Sequence, residues 1–182
     1  QSVADVWVGN DYVELLRAFD PTNTGIDTLQ TGSRHRWNSF GTDFTSRPQQ
    51  LLTMGFSTRF GGYYSNGTLS KLSGSVGYRF QPYVSIIMNA SYNQLNLPQP
   101  WGNTTFWLLG PRLDVTMTNK LFFTAFLQYN QQLKNMNLNT RFQWRYSPAS
   151  DLYIVYTDNY YPAPLSVRNR AVVLKFTYWW NL

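Results

Sequence analysis

The chain has 182 residues, a formal charge of +6, 18% aromatic and only 13% charged side chains, where a soluble globular domain averages about 25% charged. Its mean hydropathy of -0.36 and the lack of any apolar run near the roughly 18 residues a helix needs exclude a helical membrane span. The absence of cysteine excludes a disulfide scaffold, thiol catalysis and cysteine-ligated zinc, and the dispersed Lys and Arg form no nucleic-acid motif.

Residues 1–32 read as a weak strand or short helix followed by a long loop. Alternation is poor over 3–18, Asp11–Phe19 fits a helix as well as a strand, and Asp20–Gly32 is the loop. Residues 33–182 read as strands at about 33–46, 51–63, 68–80, 83–95, 104–117, 120–131, 135–146, 150–159 and 169–182. Each is near the roughly 10 residues of a tilted barrel strand. Gln1 begins no signal peptide, so the sequence reads as a mature chain or a fragment.

Period-two patterning runs through most of these segments. Over 136–146 one row is Met136, Leu138, Thr140, Phe142, Trp144 and Tyr146, and the other is Asn137, Asn139, Arg141, Gln143 and Arg145. The second row cannot be a dry sandwich core, and the first is a poor face to show to water. The final segment repeats the pattern with Val172, Leu174, Phe176, Tyr178, Trp180 and Leu182. These rows predict an all-β, antiparallel, up-and-down transmembrane barrel, with lipid outside and a wet or hydrogen-bonded lumen inside.

The connections alternate in kind. Arg47–Gln50, Gln81-Pro82, Thr118-Asn119 and Ser147–Ser150 are tight, whereas Asp20–Gly32, Tyr64–Gly67, Asn96–Asn103, Gln132–Lys134 and Tyr160–Arg168 are longer. That is the asymmetry of periplasmic turns and extracellular loops. Aromatics gather at both ends: Tyr78, Phe80, Tyr83, Trp144, Tyr146, Tyr178 and Trp180 at the tight end, and Tyr63, Tyr64, Tyr92, Trp101, Trp107, Tyr129, Tyr160 and Tyr161 at the loop end. Amphipathic rings favour the headgroup level.

The inner rows carry Arg59, Lys71, Arg79, Arg112, Arg141, Arg145 and Lys175 against one strand-borne acid, Asp114. These side chains either form a positive passage for anions or hydrogen-bond to inner amides and brace the interior. Trp101, Tyr160 and Tyr161 are the loop residues suited to stacking on a glycan or anchoring a peptide. The only histidine, His35, lies between Arg34 and Arg36, with Asp27 and Asp43 as conceivable partners. No nucleophile is fixed beside it, so no catalytic residue, metal site or cofactor is assigned.

Phe126-Leu127-Gln128-Tyr129-Asn130, Asn139–Tyr146, Ser150–Tyr156 and Arg170–Tyr178 together resemble the C-terminal barrel of a group of large Bacteroidota outer-membrane proteins. In those, a carbohydrate-binding-like sandwich precedes a barrel of unknown function. The likeness is strongest over about 120–178, and Phe60–Tyr64 and Leu95–Pro98 extend it upstream. It implies an outer-membrane location and a C-terminal part of a larger barrel, but no catalytic residues. The functional expectation is an outer-membrane channel or a structural, docking subunit of an envelope assembly, in contact with outer-membrane lipid and other envelope proteins. The alternative is a surface receptor binding glycan or peptide through its long loops. The final strand should be hydrogen-bonded on both sides, since an open edge in lipid strands its amides.

Overall fold

In the computed structural model, which describes residues 1–180, ten antiparallel strands follow one another in a single up-and-down sheet. They are β1 (Val3–Glu14), β2 (Arg34–Thr45), β3 (Leu52–Tyr63), β4 (Gly67–Phe80), β5 (Val84–Asn96), β6 (Asn103–Thr116), β7 (Leu121–Asn130), β8 (Asn135–Ser147), β9 (Ser150–Pro162) and β10 (Leu165–Thr177). The one helical element is a 3-10 turn, Tyr64–Asn66. No described helix is long and apolar enough to cross a membrane, which says nothing of strands.

Pairing fixes the two faces. Arg59 stands opposite both Gly41 and Lys71, Lys71 opposite Asn93, and Asn93 opposite Phe106. These residues share the inner face. The other face carries Phe40, Phe44, Met54, Phe56, Leu72, Val76, Ile86, Met88, Trp107, Trp144, Ile154, Val172, Leu174 and Phe176, all exposed, and Val6 and Val8 are 82% and 81% exposed. The 136–146 rows separate as the alternation predicts, with Phe142 between Phe123 and Ile154 and Gln143 between Phe122 and Tyr153.

Four expectations need correction. The Asp11–Phe19 helix does not form: every residue from Val3 to Glu14 has a partner in β2, and tertiary pairing overrides weak local alternation. The Tyr160–Arg168 loop is mostly strand, because β9 continues to Pro162 and β10 begins at Leu165, with Arg168 lying 5.7 Å over the Tyr161 ring. The last strand is not bonded on both sides. Among the described residues β10 pairs with β9 alone and β1 with β2 alone, so the sheet is open. The expected strand 169–182 also ends early, at Thr177, with Tyr178 to Trp180 outside it, and its last expected residue, Leu182, lies outside the described residues.

Little of the molecule is core. The buried apolar side chains among the described residues are Leu15, Leu29, Leu69, Leu95 and Leu97. The accessible surface is 12192 Å², where a compact 21.2 kDa protein presents roughly 9,000 Å². The excess is what a one-layer sheet costs.

One glycine marks a close approach within that layer. A Cβ on Gly41 would lie 2.1 Å from the Thr58 carbonyl oxygen and 2.5 Å from the Trp7 ring, whose indole N–H donates to Asp43 at 2.8 Å. A Cβ on the outward Gly74 would meet nothing nearer than 3.9 Å. Gly41→Ala is therefore expected to cost about 1–3 kcal/mol by overpacking, and Gly74→Ala less than about 0.5 kcal/mol. Urea-unfolding midpoints of the two variants check the contrast.

Candidate functional site

The inner face of the open sheet bounds a cleft of about 640 Å³, open to solvent, with lining residues from β2 to β8. Ser57, Ser73, Ser75, Asn89, Ser91, Gln128 and Asn137 give it a wall of hydroxyls and amides, with Phe126 and Gly110 between them. Small side chains make this space: Ser57 faces Ser73, and Ser73 donates to Ser91 at 2.9 Å. Asp43 is the charged residue in the wall.

None of the expected lumenal cations lines that cleft, although all seven lie on the inner face by register. Arg59 reaches Asp11 at 3.3 Å. Arg112 makes a two-pronged contact with Asp114 at 2.8 and 3.0 Å, and Asp114 also accepts from the Thr124 hydroxyl at 2.9 Å. Arg145 lies 3.4 Å from Asp151 and 5.8 Å over the Phe122 ring. Arg79 donates to the Pro48 carbonyl at 2.7 Å in the β2–β3 turn. Lys71 stands opposite Arg59, Arg141 opposite Thr124, and Lys175 opposite Tyr153.

The expectation of a single acid against these cations does not hold. Asp5, Asp11, Asp43 and Asp151 join Asp114 on the inner face. Asp5 and Asp11 were hidden in the segment whose alternation is weakest. The signal for Asp151 lay in its position, paired opposite Arg145 across the β8–β9 hairpin.

A long connection between β1 and β2, residues 15–33, lies over the loop end. Phe19 and Leu29 form an antiparallel bridge, and Phe19 packs at 5.1 Å on Tyr64, which also meets Trp37 and His35. The Thr22 carbonyl accepts from the Gln132 amide at 2.8 Å, and the Asp27 carbonyl accepts from the Trp101 indole at 2.9 Å. The connection is therefore tied to two distant loops. Beneath it Leu69, Leu95 and Leu97 pack with Tyr63, Trp101 and Phe106.

Those contacts revise the loop-end aromatics. Tyr63, Tyr64 and Trp101 close the mouth from within, whereas Tyr92 and Trp107 pair at 5.0 Å on the outer face. At the tight end Tyr78–Phe80, Trp144–Tyr146 and Tyr146–Phe176 form the outer ring pairs. Of the ligand-contact candidates, Trp101 is engaged by Asp27, Tyr160 gives its hydroxyl to Asp158 at 2.5 Å, and Tyr161 carries Arg168.

Among the described residues His35 has no acid partner. The Ser33 hydroxyl donates to the Gln30 carbonyl at 2.7 Å, so at 3.0 Å it accepts from His35 Nε2, while Nδ1 accepts from the Ser65 amide at 3.3 Å. In this tautomer the imidazole has no lone pair for Ser33 and cannot act as its base. No His, Cys, Asp or Glu grouping suited to a metal occurs among the described residues. The chain matches no family model, no curated protein and no solved structure.

The mouth connection has one carboxylate hinge. Asp20 accepts from the Thr22 amide and hydroxyl at 2.9 and 2.8 Å and from the Gly25 amide at 2.7 Å. Partial burial pushes its pKa upward, but these hydrogen bonds outweigh it and hold the carboxyl below its ordinary 3.8. A lowered folded-state value means the stabilisation is present above the unfolded pKa and is lost as pH falls through the folded value. Amide exchange at Thr22 and Gly25, corrected for intrinsic rate, should therefore be protected at pH 6 and lose protection in acid below pH 3.8. Asp20→Asn keeps a single acceptor oxygen, so it should lose protection at one of the two amides at both pH values and show no acid transition.

Proposed function

We propose that this chain forms an integral outer-membrane β-barrel whose lumen is braced rather than open, and that it serves as a structural or docking subunit of the envelope. The observation that carries the reading is the outer face: every strand exposes apolar or aromatic side chains on it, with polar and charged residues gathered toward the loop end of β1, β2, β9 and β10, and no second layer covers it. Water is a poor neighbour for such a face, since large exposed apolar patches mark interaction or membrane surfaces. Aromatic pairs at both strand ends fit headgroup belts. The polar inner face and the unequal connections fit the same environment.

The strut reading of the lumen is favoured over the anion-channel reading because Arg59, Arg112 and Arg145 are held by Asp11, Asp114 and Asp151. Cations so engaged neutralise the field a selective passage would use. The mouth connection tied at Gln132 and Trp101 adds to this. The receptor reading is not favoured, since its three aromatic contacts are already engaged within the chain.

Phe142→Arg would place a charge on the outer face at mid-strand, at a cost of about 2–4 kcal/mol near a bilayer midplane. Gln143→Arg should be far milder, because that side chain already faces Asp151 at 3.0 Å. Heat-modifiable migration after refolding into bilayers measures both; equal damage would contradict lipid outside. Planar-bilayer recordings should show no discrete conductance steps. Arg141→Glu with Arg145→Glu should lower the melting temperature, whereas an anion preference abolished by that double variant with melting unchanged would establish a channel.

A further inference from the structure

The two free edges carry complementary information. On the outer face Arg170 of β10 pairs across to Asp158 of β9, with Nη2 at 2.9 Å. Asp158 is fully buried and also accepts from Tyr156 and Tyr160 at 2.6 and 2.5 Å, while its other oxygen has no partner. Glu14 at the loop end of β1 pairs with Arg34 of β2 at 3.1 Å. Each ion pair is incomplete on its open side: Arg170 and Glu14 are 54% and 44% exposed. Both sit toward the loop end of their strands.

We infer that β1 and β10 are each other's partner, paired antiparallel with Glu14 opposite Arg170, so that Asp158, Arg170, Glu14 and Arg34 form one row of alternating charge across the closing seam. The inference rests on the barrel reading above, in which neither edge can stay unpaired. Strand directions agree, because the first and tenth strands of an up-and-down sheet run oppositely.

Stagger supplies an independent check. Following cross-strand partners from Val3, the row passes through Thr45, Gly55, Ser75 and Asn89 to Gly110, continues to Gln128 in the register of the flanking pairs Leu109–Tyr129 and Arg112–Phe126, then through Asn137 and Asn159, and arrives at Asn169. With Glu14 opposite Arg170, Asn169 faces Leu15, a stagger of about twelve residues from Val3. At a rise of about 3.3 Å per residue and ten spacings of about 4.8 Å, that tilts the strands by roughly 40°, within the range of about 35–45° for membrane barrels.

Neighbouring registers are worse. An odd shift exchanges the faces. Two residues one way reduces the tilt to roughly 34° and sets Glu14 against Arg168, which sits at the β10 bulge and is already laid over the Tyr161 ring, and two the other way sets Glu14 against Val172. The inferred register also continues the outer apolar row, with Tyr12 opposite Val172 and Val8 opposite Phe176. On the inner face Lys175 lies opposite Gly9, one step from Asp11.

The chain contains no cysteine, so paired cysteines report register directly. Tyr12→Cys with Val172→Cys tests an outer pair and Val13→Cys with Ala171→Cys an inner one. One of the two falls at the closer, non-hydrogen-bonded spacing. Tyr12→Cys with Leu174→Cys and with Arg170→Cys are the offset controls. Oxidation of bilayer-refolded protein should give a cross-link within one chain for at least one aligned pair, at least tenfold above either control. A dominant offset cross-link, a product of twice the mass (pairing with a second copy), or no cross-link in protein that keeps heat-modifiable migration would each overturn the seam. The last outcome would leave the barrel reading standing with other strands at the edges. Loss of bilayer insertion by the cysteine-free parent would instead defeat that reading, whatever the cross-links.

Discussion

A single sheet has two faces and can hide neither against itself unless it curls, and everything else in this chain follows from that. Curvature turns the inner rows toward one another, so that serines, asparagines and Gly110 line the open cleft. It cannot enclose the outer rows. Five leucines are all the buried apolar side chains among the described residues, far too few to offset the ordering entropy of so long a chain in water. The outer face is left without a covering layer in the chain itself, and the proposed bilayer is one apolar medium that would cover its strands together.

On the inner face several charges are paired although they stay partly exposed. Arg112 and Asp114 lie two residues apart on one strand, so both side chains leave the same face and meet without any long-range contact. Arg59 and Asp11 meet only because β2 brings β1 and β3 to either side of it, with Ser39 donating to the same Asp11 oxygen at 3.1 Å. Local and long-range pairs thus brace different heights of the interior. The mouth connection finishes the loop end with backbone carbonyls of Thr22 and Asp27 rather than with a second core.

Much of this architecture was legible in the residues. The 136–146 and 172–178 rows have a strict period of two with opposite chemistry on each side, and the tight turns carry proline or asparagine where a strand cannot continue, so strand number and facing followed. The β1 strand was ambiguous because its outer row mixes Val6 and Val8 with Asn10 and Glu14, and only pairing with β2 resolves it. Two of the inner-face acids, Asp5 and Asp11, were missed for the same reason, whereas Asp43 and Asp151 lay in strands that were expected. Asp158 was missed as an outer-face residue: its neighbour Tyr160 read as a belt aromatic and ligand contact, and nothing local shows that the Tyr156 and Tyr160 hydroxyls both turn to one carboxylate. Trp101 read as a ligand contact because its partner Asp27 lies 74 residues away in sequence.

The central claim is that one row of every strand meets hydrocarbon and the other does not. It is tested most directly by placing single cysteines in turn at 136 to 146, attaching a nitroxide label, and measuring its accessibility to oxygen and to a water-soluble nickel chelate in bilayers. The account predicts a period-two pattern, with Met136, Leu138, Thr140, Phe142 and Trp144 accessible to oxygen and shielded from the chelate, and the intervening positions the reverse. Uniform access to the chelate along the strand, or alternation of the opposite phase, would contradict it.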